Sequence, residues 1–89
     1  MKHAGTDALD DLEDLLVAIR QLGGLKEKKR GIFYRKSSSF LHFHEDPTGL
    51  FADLRNSDDF RRHPVNTPAQ RHRLLARISA QLVRDQGAA

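Results

Sequence analysis

The spacing of apolar residues changes twice along the chain, and this change constrains the fold more than any other feature. Leucine and isoleucine recur every three or four residues from Leu9 to Leu22 and again from Leu74 to Leu82, which is the repeat of an amphipathic helix. Between these segments apolar residues alternate with polar ones, as in a strand with one buried face. The pattern predicts an α+β fold of order α-β-β-β-α, with an antiparallel meander sheet and both helices on one of its faces.

The length and composition restrict the class of protein. At 89 residues the chain has room for one domain, with an ordered core over about residues 7–84. No apolar run approaches the roughly 20 residues that a bilayer span needs, and the acidic stretch after Met1 is unlike a secretory signal. The chain has no cysteine, which excludes disulfides and thiolate metal sites. We therefore expect a cytoplasmic protein with no membrane partner and no cofactor.

Both predicted helices carry boundary signals. Thr6 or Asp7 is expected to cap the first helix, which runs to Leu22 and ends at Gly23-Gly24. The segment Thr67-Pro68-Ala69-Gln70 combines a capping threonine, a proline at the first helical position and the glutamine of a capping box. The second helix is therefore expected over residues 68–84.

Turn residues set the expected register of the strands. Asp46-Pro47-Thr48-Gly49 suits a type I turn, which would place His42 opposite Asp53. A second turn around residues 36–39 would place Phe33 opposite His42, and a short extra strand is expected near residues 63–65. Both turns assign the same apolar side chains to the face that the helices cover: Ile32, Tyr34, Leu41, Phe43, Leu50, Ala52 and Leu54.

The opposite face is expected to hold aromatic and charged side chains. Exposed phenylalanines are unusual on a surface that contacts only water, so a second copy of the chain or another partner is expected to cover them, with another segment of the chain or a ligand as alternatives. The residues of this predicted partner face are Phe33, Phe40, His42, His44, Phe51, Asp53 and Arg55.

Three residues of that face, His42, His44 and Asp53, also match the two-histidine-one-carboxylate set of zinc and non-haem iron sites. Histidines that alternate along a strand are common without a metal, and a catalytic site needs a pocket that so small a domain can scarcely enclose. The serines at residues 37–39 lack the G-x-S-x-G motif of a nucleophile elbow. We therefore predict a non-enzymatic protein and keep the metal site as a minor alternative.

The net charge of +3 conceals two basic segments, residues 26–36 and 61–89, which alternate with acidic ones. If the fold joins them, cations could neutralise phosphates while phenylalanines stack on unpaired bases, giving weak, non-specific binding of DNA or RNA. No RNA-recognition-motif octamer, KH loop or zinc-finger spacing is present. The nucleic-acid and dimer interpretations both stay open. The residues predicted to bind nucleic acid are Lys28, Lys29, Arg30, Phe33, Arg35, Lys36 and Phe40.

The order of elements resembles that of the MmcQ/YjbR-like group, small and mostly uncharacterised α+β domains in which a helix, an antiparallel sheet and a closing helix follow one another. The resemblance covers about residues 9–84 and rests on Gly31, Phe33, the strand from Leu50 to Leu54, and Pro64. It implies an α+β fold and a non-enzymatic role. Members of this group are sometimes described as DNA-binding proteins. The chain is shorter than the group's pattern and carries the His-Phe-His stretch, so no functional residue is transferred.

Overall fold

The computed structural model describes residues 1–87 and has the predicted α+β architecture, with three helices and a six-stranded antiparallel sheet. The order of the central strands across the sheet is β2-β3-β4-β5-β6, and β1 pairs with the C-terminal part of β4. The strands are β1 (Lys2–His3), β2 (Lys26–Lys29), β3 (Ile32–Arg35), β4 (Ser38–Asp46), β5 (Gly49–Asn56) and β6 (Asp59–Pro64), and the helices are α1 (Thr6–Asp11), α2 (Glu13–Gln21) and α3 (Pro68–Gly87).

The sheet has more strands than the three that the sequence pattern predicts. β1 has only two residues, β2 reads KEKK, and β6 has one large apolar side chain, Phe60, which is exposed. None of these segments alternates between apolar and polar residues, because none buries a face in the core. The predicted extra strand near residues 63–65 corresponds to the end of β6. Within residues 1–87 no helix combines the length and apolar character that crossing a bilayer requires.

The hairpin of β4 and β5 has the predicted register. His42 pairs with Asp53, and the last pair before the turn joins Asp46 to Gly49. Asp46 Oδ1 accepts hydrogen bonds from both the backbone N–H and the hydroxyl of Thr48. Such a turn is stabilised by its own residues, so the register on either side of it follows from local sequence.

The hairpin of β3 and β4 has a different register from the predicted one. Its turn contains only Lys36, at a φ of 55°, and Ser37, so that Arg35 pairs with Ser38. Farther along, the pairing shifts at a β-bulge in which Phe40 has no partner on β3. The tighter turn and the bulge together displace the predicted pairing by one residue beyond this point.

This displacement exchanges the two faces of β3, because side chains alternate along a strand. Phe33 pairs with Leu41 and is buried in the core, whereas Ile32 and Tyr34 are only partly buried. The bulge also lets Phe40 enter the core beside Leu41, although the two residues are adjacent in sequence. The predicted placement of Ile32 and Tyr34 inside, and of Phe33 and Phe40 outside, is therefore wrong.

The core joins the three helices to the sheet in a single apolar cluster. Gly31 lies where the turn between β2 and β3 packs on α1, since a Cβ there would lie 2.6 Å from Leu9 Cδ2 and its φ is +80°. The helical members of the cluster are Leu9, Leu15, Leu16, Ile19, Leu74, Ile78 and Leu82, and the strand members are Phe33, Phe40, Leu41, Phe43, Ala52 and Leu54.

The first predicted helix is divided into α1 and α2 at Leu12, which has a φ of −93° and a ψ of 4°. Its N-cap is Gly5, and neither Thr6 nor Asp7 supplies the expected cap. The end of α2 agrees with the prediction, since Gly23-Gly24 follows it with φ angles of 75° and 81°.

The capping box of α3 is confirmed. Gln70 donates its backbone N–H to Thr67 Oγ1 at 3.1 Å, and Gln70 Oε1 accepts the Thr67 N–H at 3.2 Å. The same oxygen accepts the Asn66 N–H at 2.8 Å, and the helix begins at Pro68. All of these contacts lie within five residues, which is why the sequence predicts them.

Candidate functional site

Two adjoining concavities, of about 350 and 450 Å³, lie between the C-terminal half of α3 and the neighbouring strands. They share Gln81 and Arg84, so we treat them as one groove and call it the basic groove. Leu54 and Phe40 supply apolar surface to it. Its basic residues are Arg35, Lys36, Arg55, Arg61, His63, Arg77 and Arg84.

The helical repeat of α3 places two of these arginines together. Ile78 and Leu82 face the core, so Arg77 and Arg84 lie on the flank of the helix that borders the groove. They are seven residues apart, which puts them on one side of the helix about 10 Å from each other. The apolar face of α3 therefore determines the direction of its basic flank.

The described residues that line the basic groove carry charge of one sign. None of them is a carboxylate, and Lys36, Arg61, Arg77 and Arg84 form no ion pair with a side chain of residues 1–84. Elsewhere in the described chain arginines bind carboxylates. Those arginines are Arg20, Arg30, Arg62 and Arg71.

The pKa of His63 is affected by the cations of the basic groove. Its imidazole is partly buried on β6, and burial lowers its pKa. The nearby guanidinium groups of Arg77 and Arg61 lower the pKa further, since they oppose a second positive charge. The groove therefore holds a neutral histidine between cations that are themselves always charged.

The fold separates the residues predicted to bind nucleic acid. Arg35 and Lys36 line the basic groove. Arg30 instead binds two carboxylates, one on α1 and one on α2, at 2.8 Å each. Lys28 lies over a tyrosine ring, 4.2 Å from its centroid. Lys29 is exposed on β2, which is the edge strand opposite β6. The first basic segment therefore does not act as one surface.

Phe33 and Phe40 are 1% and 2% exposed, so neither can stack on a base or contact a partner in the folded protein. This corrects their predicted roles on both surfaces. The predicted set also omitted Arg61, Arg77 and Arg84, although the helical repeat indicated that the last two lie outside the core. What the repeat could not indicate is the strand against which they lie.

On the open face of the sheet, away from the helices, β1, β4 and β5 bring four side chains together. His42 Nδ1 and His44 Nε2 are 2.8 Å apart, and Asp53 Oδ2 lies 3.3 Å from His44 Nε2 and 4.0 Å from His42 Nδ1. His3 pairs with His44 across β1 and β4 and stacks on it, with ring centroids 4.7 Å apart. We call His3, His42, His44 and Asp53 the histidine cluster.

Arg62 of β6 holds the carboxylate of the cluster in place. Its Nε donates to Asp53 Oδ1 at 2.9 Å and its Nη2 donates to Asp53 Oδ2 at 3.0 Å. Burial by itself would raise the pKa of Asp53, but these bonds and the positive charge of Arg62 hold it below its ordinary value. Burial lowers the pKa of both His42 and His44. At neutral pH His42 and His44 are therefore neutral beside a charged carboxylate.

His3 was not among the predicted site residues. It lies on a strand of two residues, and its position depends on the backbone bond from Ala4 N–H to Phe43 O at 3.0 Å and on the pairing of β1 with β4. No periodicity can be read from so short a segment. The only sequence signal is the presence of a third histidine, which by itself does not indicate proximity.

The predicted partner face keeps fewer aromatic side chains than expected. Phe33 and Phe40 lie in the core and Phe51 is partly buried, while Phe60, which was not predicted there, is 38% exposed. The guanidinium of Arg55 lies 4.7 Å from the Phe60 ring centroid. The apolar area on this face, on which the prediction of a second copy of the chain rests, is therefore smaller than the sequence indicated.

No protein family, curated protein or solved structure matches the chain. The resemblance to MmcQ/YjbR-like domains stays a prediction.

Proposed function

We propose that this domain binds the phosphate backbone of DNA or RNA in the basic groove, weakly and without strong sequence preference. The observation that supports the proposal is the composition of the groove: six lysine and arginine side chains from three parts of the chain line it, and no carboxylate among the described residues does. Such a concentration of cations attracts a polyanion.

The dimensions of the groove suit several phosphates. The Arg77 and Arg84 side chains leave α3 about 10 Å apart, and a nucleic-acid strand of that length carries about three phosphates, at roughly 3.4 Å of helix axis each. Arg61 and His63 border the same part of the groove from β6, and Lys36 borders the other end. About four to six phosphate contacts are therefore within reach.

The lining of the groove favours backbone contacts over base contacts. Among the described residues that line it, the only phenylalanine, tyrosine or tryptophan is Phe40, which is 2% exposed and cannot stack on a base. Guanidinium and ammonium groups bound to phosphates position a nucleic acid without reading its sequence. Single strands and duplexes should therefore bind with similar, salt-sensitive affinity.

The experiment is a fluorescence-anisotropy titration of labelled single-stranded and duplex DNA at several salt concentrations. The log-log salt slope should be about −3 to −5, for ~4 to 6 neutralised phosphates. Replacing Arg77 and Arg84 together by Gln should reduce the magnitude of the slope by about 2 and weaken every sequence alike. The matched control, Lys28→Gln with Lys29→Gln, removes the same charge at β2 and should leave the slope nearly unchanged.

Two outcomes would contradict the proposal. The first is an absence of binding to DNA and RNA at about 50 mM salt with tens of micromolar protein, where a four-phosphate contact should be measurable. The second is an equal effect of the two double variants, which would assign the attraction to net charge and remove the basic groove as its location.

A further inference from the structure

Three imidazole rings and one carboxylate meet on the open face of the sheet, on the side of the strands away from the helices. We propose that His3, His42 and His44 bind a zinc-class divalent cation, with Asp53 Oδ2 as the fourth donor. The proposal is independent of nucleic-acid binding, since no residue of the histidine cluster lines the basic groove.

The spacing of the donor atoms is that of a metal site. Zinc binds imidazole nitrogens at about 2.0–2.1 Å in tetrahedral geometry, which puts neighbouring donors about 3.3 Å apart. The distances among His42 Nδ1, His44 Nε2 and Asp53 Oδ2 are 2.8, 3.3 and 4.0 Å, on either side of that value. Ring nitrogens of His3, His42 and His44 all lie within 4.8 Å of one another.

Hydrogen bonding alone does not account for the arrangement. One proton shared between His42 Nδ1 and His44 Nε2 satisfies both atoms, and a third ring stacked on the pair adds no hydrogen bond. His44 also interacts with the backbone of Lys2 on β1, and its buried Nδ1 has no other partner among the described residues. A cation bound at Nε2 leaves the proton on His44 Nδ1 and uses the ring lone pairs that point toward one another.

The carboxylate of the cluster complements a divalent cation. Asp53 supplies a negative charge, and Arg62 fixes its orientation through two hydrogen bonds. Groups that orient a metal ligand in this way commonly strengthen the site.

The donor set selects the kind of cation. Three imidazoles and one carboxylate favour zinc and its neighbours among the divalent transition metals, whereas Mg²⁺ and Ca²⁺ prefer sites built from oxygen. Cobalt(II) is a suitable spectroscopic substitute, because its visible absorption distinguishes four-coordinate from six-coordinate sites.

The experiment uses the chain without a polyhistidine tag and measures binding of Zn²⁺ by calorimetry, with Mg²⁺ as a negative control. One zinc should bind per chain, and zinc at about 100 times its Kd should raise the Tm by about 10–20 °C. Cobalt(II) should give the absorption of a four-coordinate site. Copper and nickel are left out, since a histidine at the third position of the assayed chain can chelate them through backbone nitrogens.

Substitutions locate the site. His3→Gln, His42→Gln and His44→Gln should each weaken zinc binding more than about 100-fold, because losing a group that merely orients a ligand already costs about 10–100-fold. Asp53→Asn should weaken it by about 10–100-fold. The matched controls, His63→Gln on β6 and His72→Gln on α3, should bind zinc as the parent chain does.

His3→Gln is the variant whose zinc affinity is simplest to interpret, because His3 is exposed and its replacement leaves the core intact. Zinc affinity that is unchanged in His3→Gln and in His42→Gln would overturn the site, as would equal losses in the two control variants. A six-coordinate cobalt spectrum, or one zinc for every two chains, would overturn the four-donor arrangement proposed for a single chain.

Discussion

Phe33 and Phe40 fill the core from neighbouring strands, and they are among its most completely buried side chains, with 1% and 2% exposed. Phe40 is the unpaired residue of the β-bulge between β3 and β4, which allows it and the adjacent Leu41 to enter the same cluster. The bulge therefore adds one large side chain to the core of a domain that has few residues to bury.

At the scale of single residues, we expect Phe33→Ala and Phe40→Ala each to lower the free energy of unfolding by about 3–5 kcal/mol, since each leaves a cavity in a packed core. Phe60→Ala is the matched control, because Phe60 is 38% exposed, and it should cost less than about 1 kcal/mol. Urea denaturation measures all three. A Phe40→Ala variant no less stable than Phe60→Ala would show that Phe40 does not lie in the core.

At the scale of elements, the hairpin of β2 and β3 is attached to α2 by one carboxylate. Glu27 accepts two hydrogen bonds from Arg20, at 2.6 and 3.1 Å, and a third from the Gly31 N–H at 2.8 Å. The hydrogen bonds from Arg20 lower the pKa of Glu27, and the Gly31 N–H lowers it further. The carboxylate thus fixes both the turn and its position on the helix.

We expect Glu27→Gln to lower the stability by about 1 kcal/mol at neutral pH, because the amide loses the charge attraction of Arg20 while still accepting from Gly31. A lowered pKa stabilises the fold above the ordinary glutamate value of about 4.3, and this stabilisation disappears as the pH falls below it. Denaturation between about pH 3 and 7 should therefore show the difference between variant and parent shrinking toward acid.

The matched control for this prediction is Asp58→Asn. Asp58 is exposed in the turn between β5 and β6 and forms no ion pair with a side chain of residues 1–84. Its replacement should change the stability by less than about 0.5 kcal/mol at neutral pH. A Glu27→Gln difference that stays constant from neutral to acid pH would assign the loss to packing and remove the charge interaction as its cause.

At the scale of the whole molecule, Arg71 connects the N-terminal helix α1 to the C-terminal helix α3. From α3 it donates through Nε to Val65 O at 2.9 Å, and through Nη1 and Nη2 to the backbone and side-chain oxygens of Asp11 at 3.1 and 2.9 Å. Asp11 closes α1, so one guanidinium group connects the N-terminal helix, the loop before α3 and α3 itself.

We expect Arg71→Lys to lower the free energy of unfolding by about 1–3 kcal/mol, because an ammonium group cannot reach three acceptors arranged for the planar guanidinium. Arg73→Lys is the matched control on the same helix: it is exposed, forms no ion pair within residues 1–87 and should be nearly neutral. Denaturant midpoints measure the difference. Equal midpoints for the two variants would show that Arg71 does not connect the chain ends in solution.

The features that could be predicted are those formed by residues close in sequence. The capping box of Thr67 and Gln70 and the turn that begins at Asp46 involve contacts within four residues, and each sets an element boundary or a register by itself. The two helical stripes and the α+β class follow from periodicity in the same way. The pairing of His42 with Asp53 was predictable for this reason too, so three of the four residues of the histidine cluster, all but His3, could be placed on one face before the fold was known.

What tertiary structure alone decided is every pairing that lacks a local signal. β1 and β2 carry no periodic pattern and form because a neighbouring strand offers its backbone hydrogen-bonding groups. The two-residue turn between β3 and β4 and the bulge at Phe40 together give a register that differs from the one predicted from a longer turn. These pairings bring His3 to His44 and move Phe33 into the core. They also place β6 beside the C-terminal half of α3, so that Arg61 and Arg77 line the same groove. The sequence by itself determined the class of fold, the end of α2, the start of α3 and one hairpin. The remaining placements depend on contacts between distant residues, whose free energy is realised only when the whole sheet has formed.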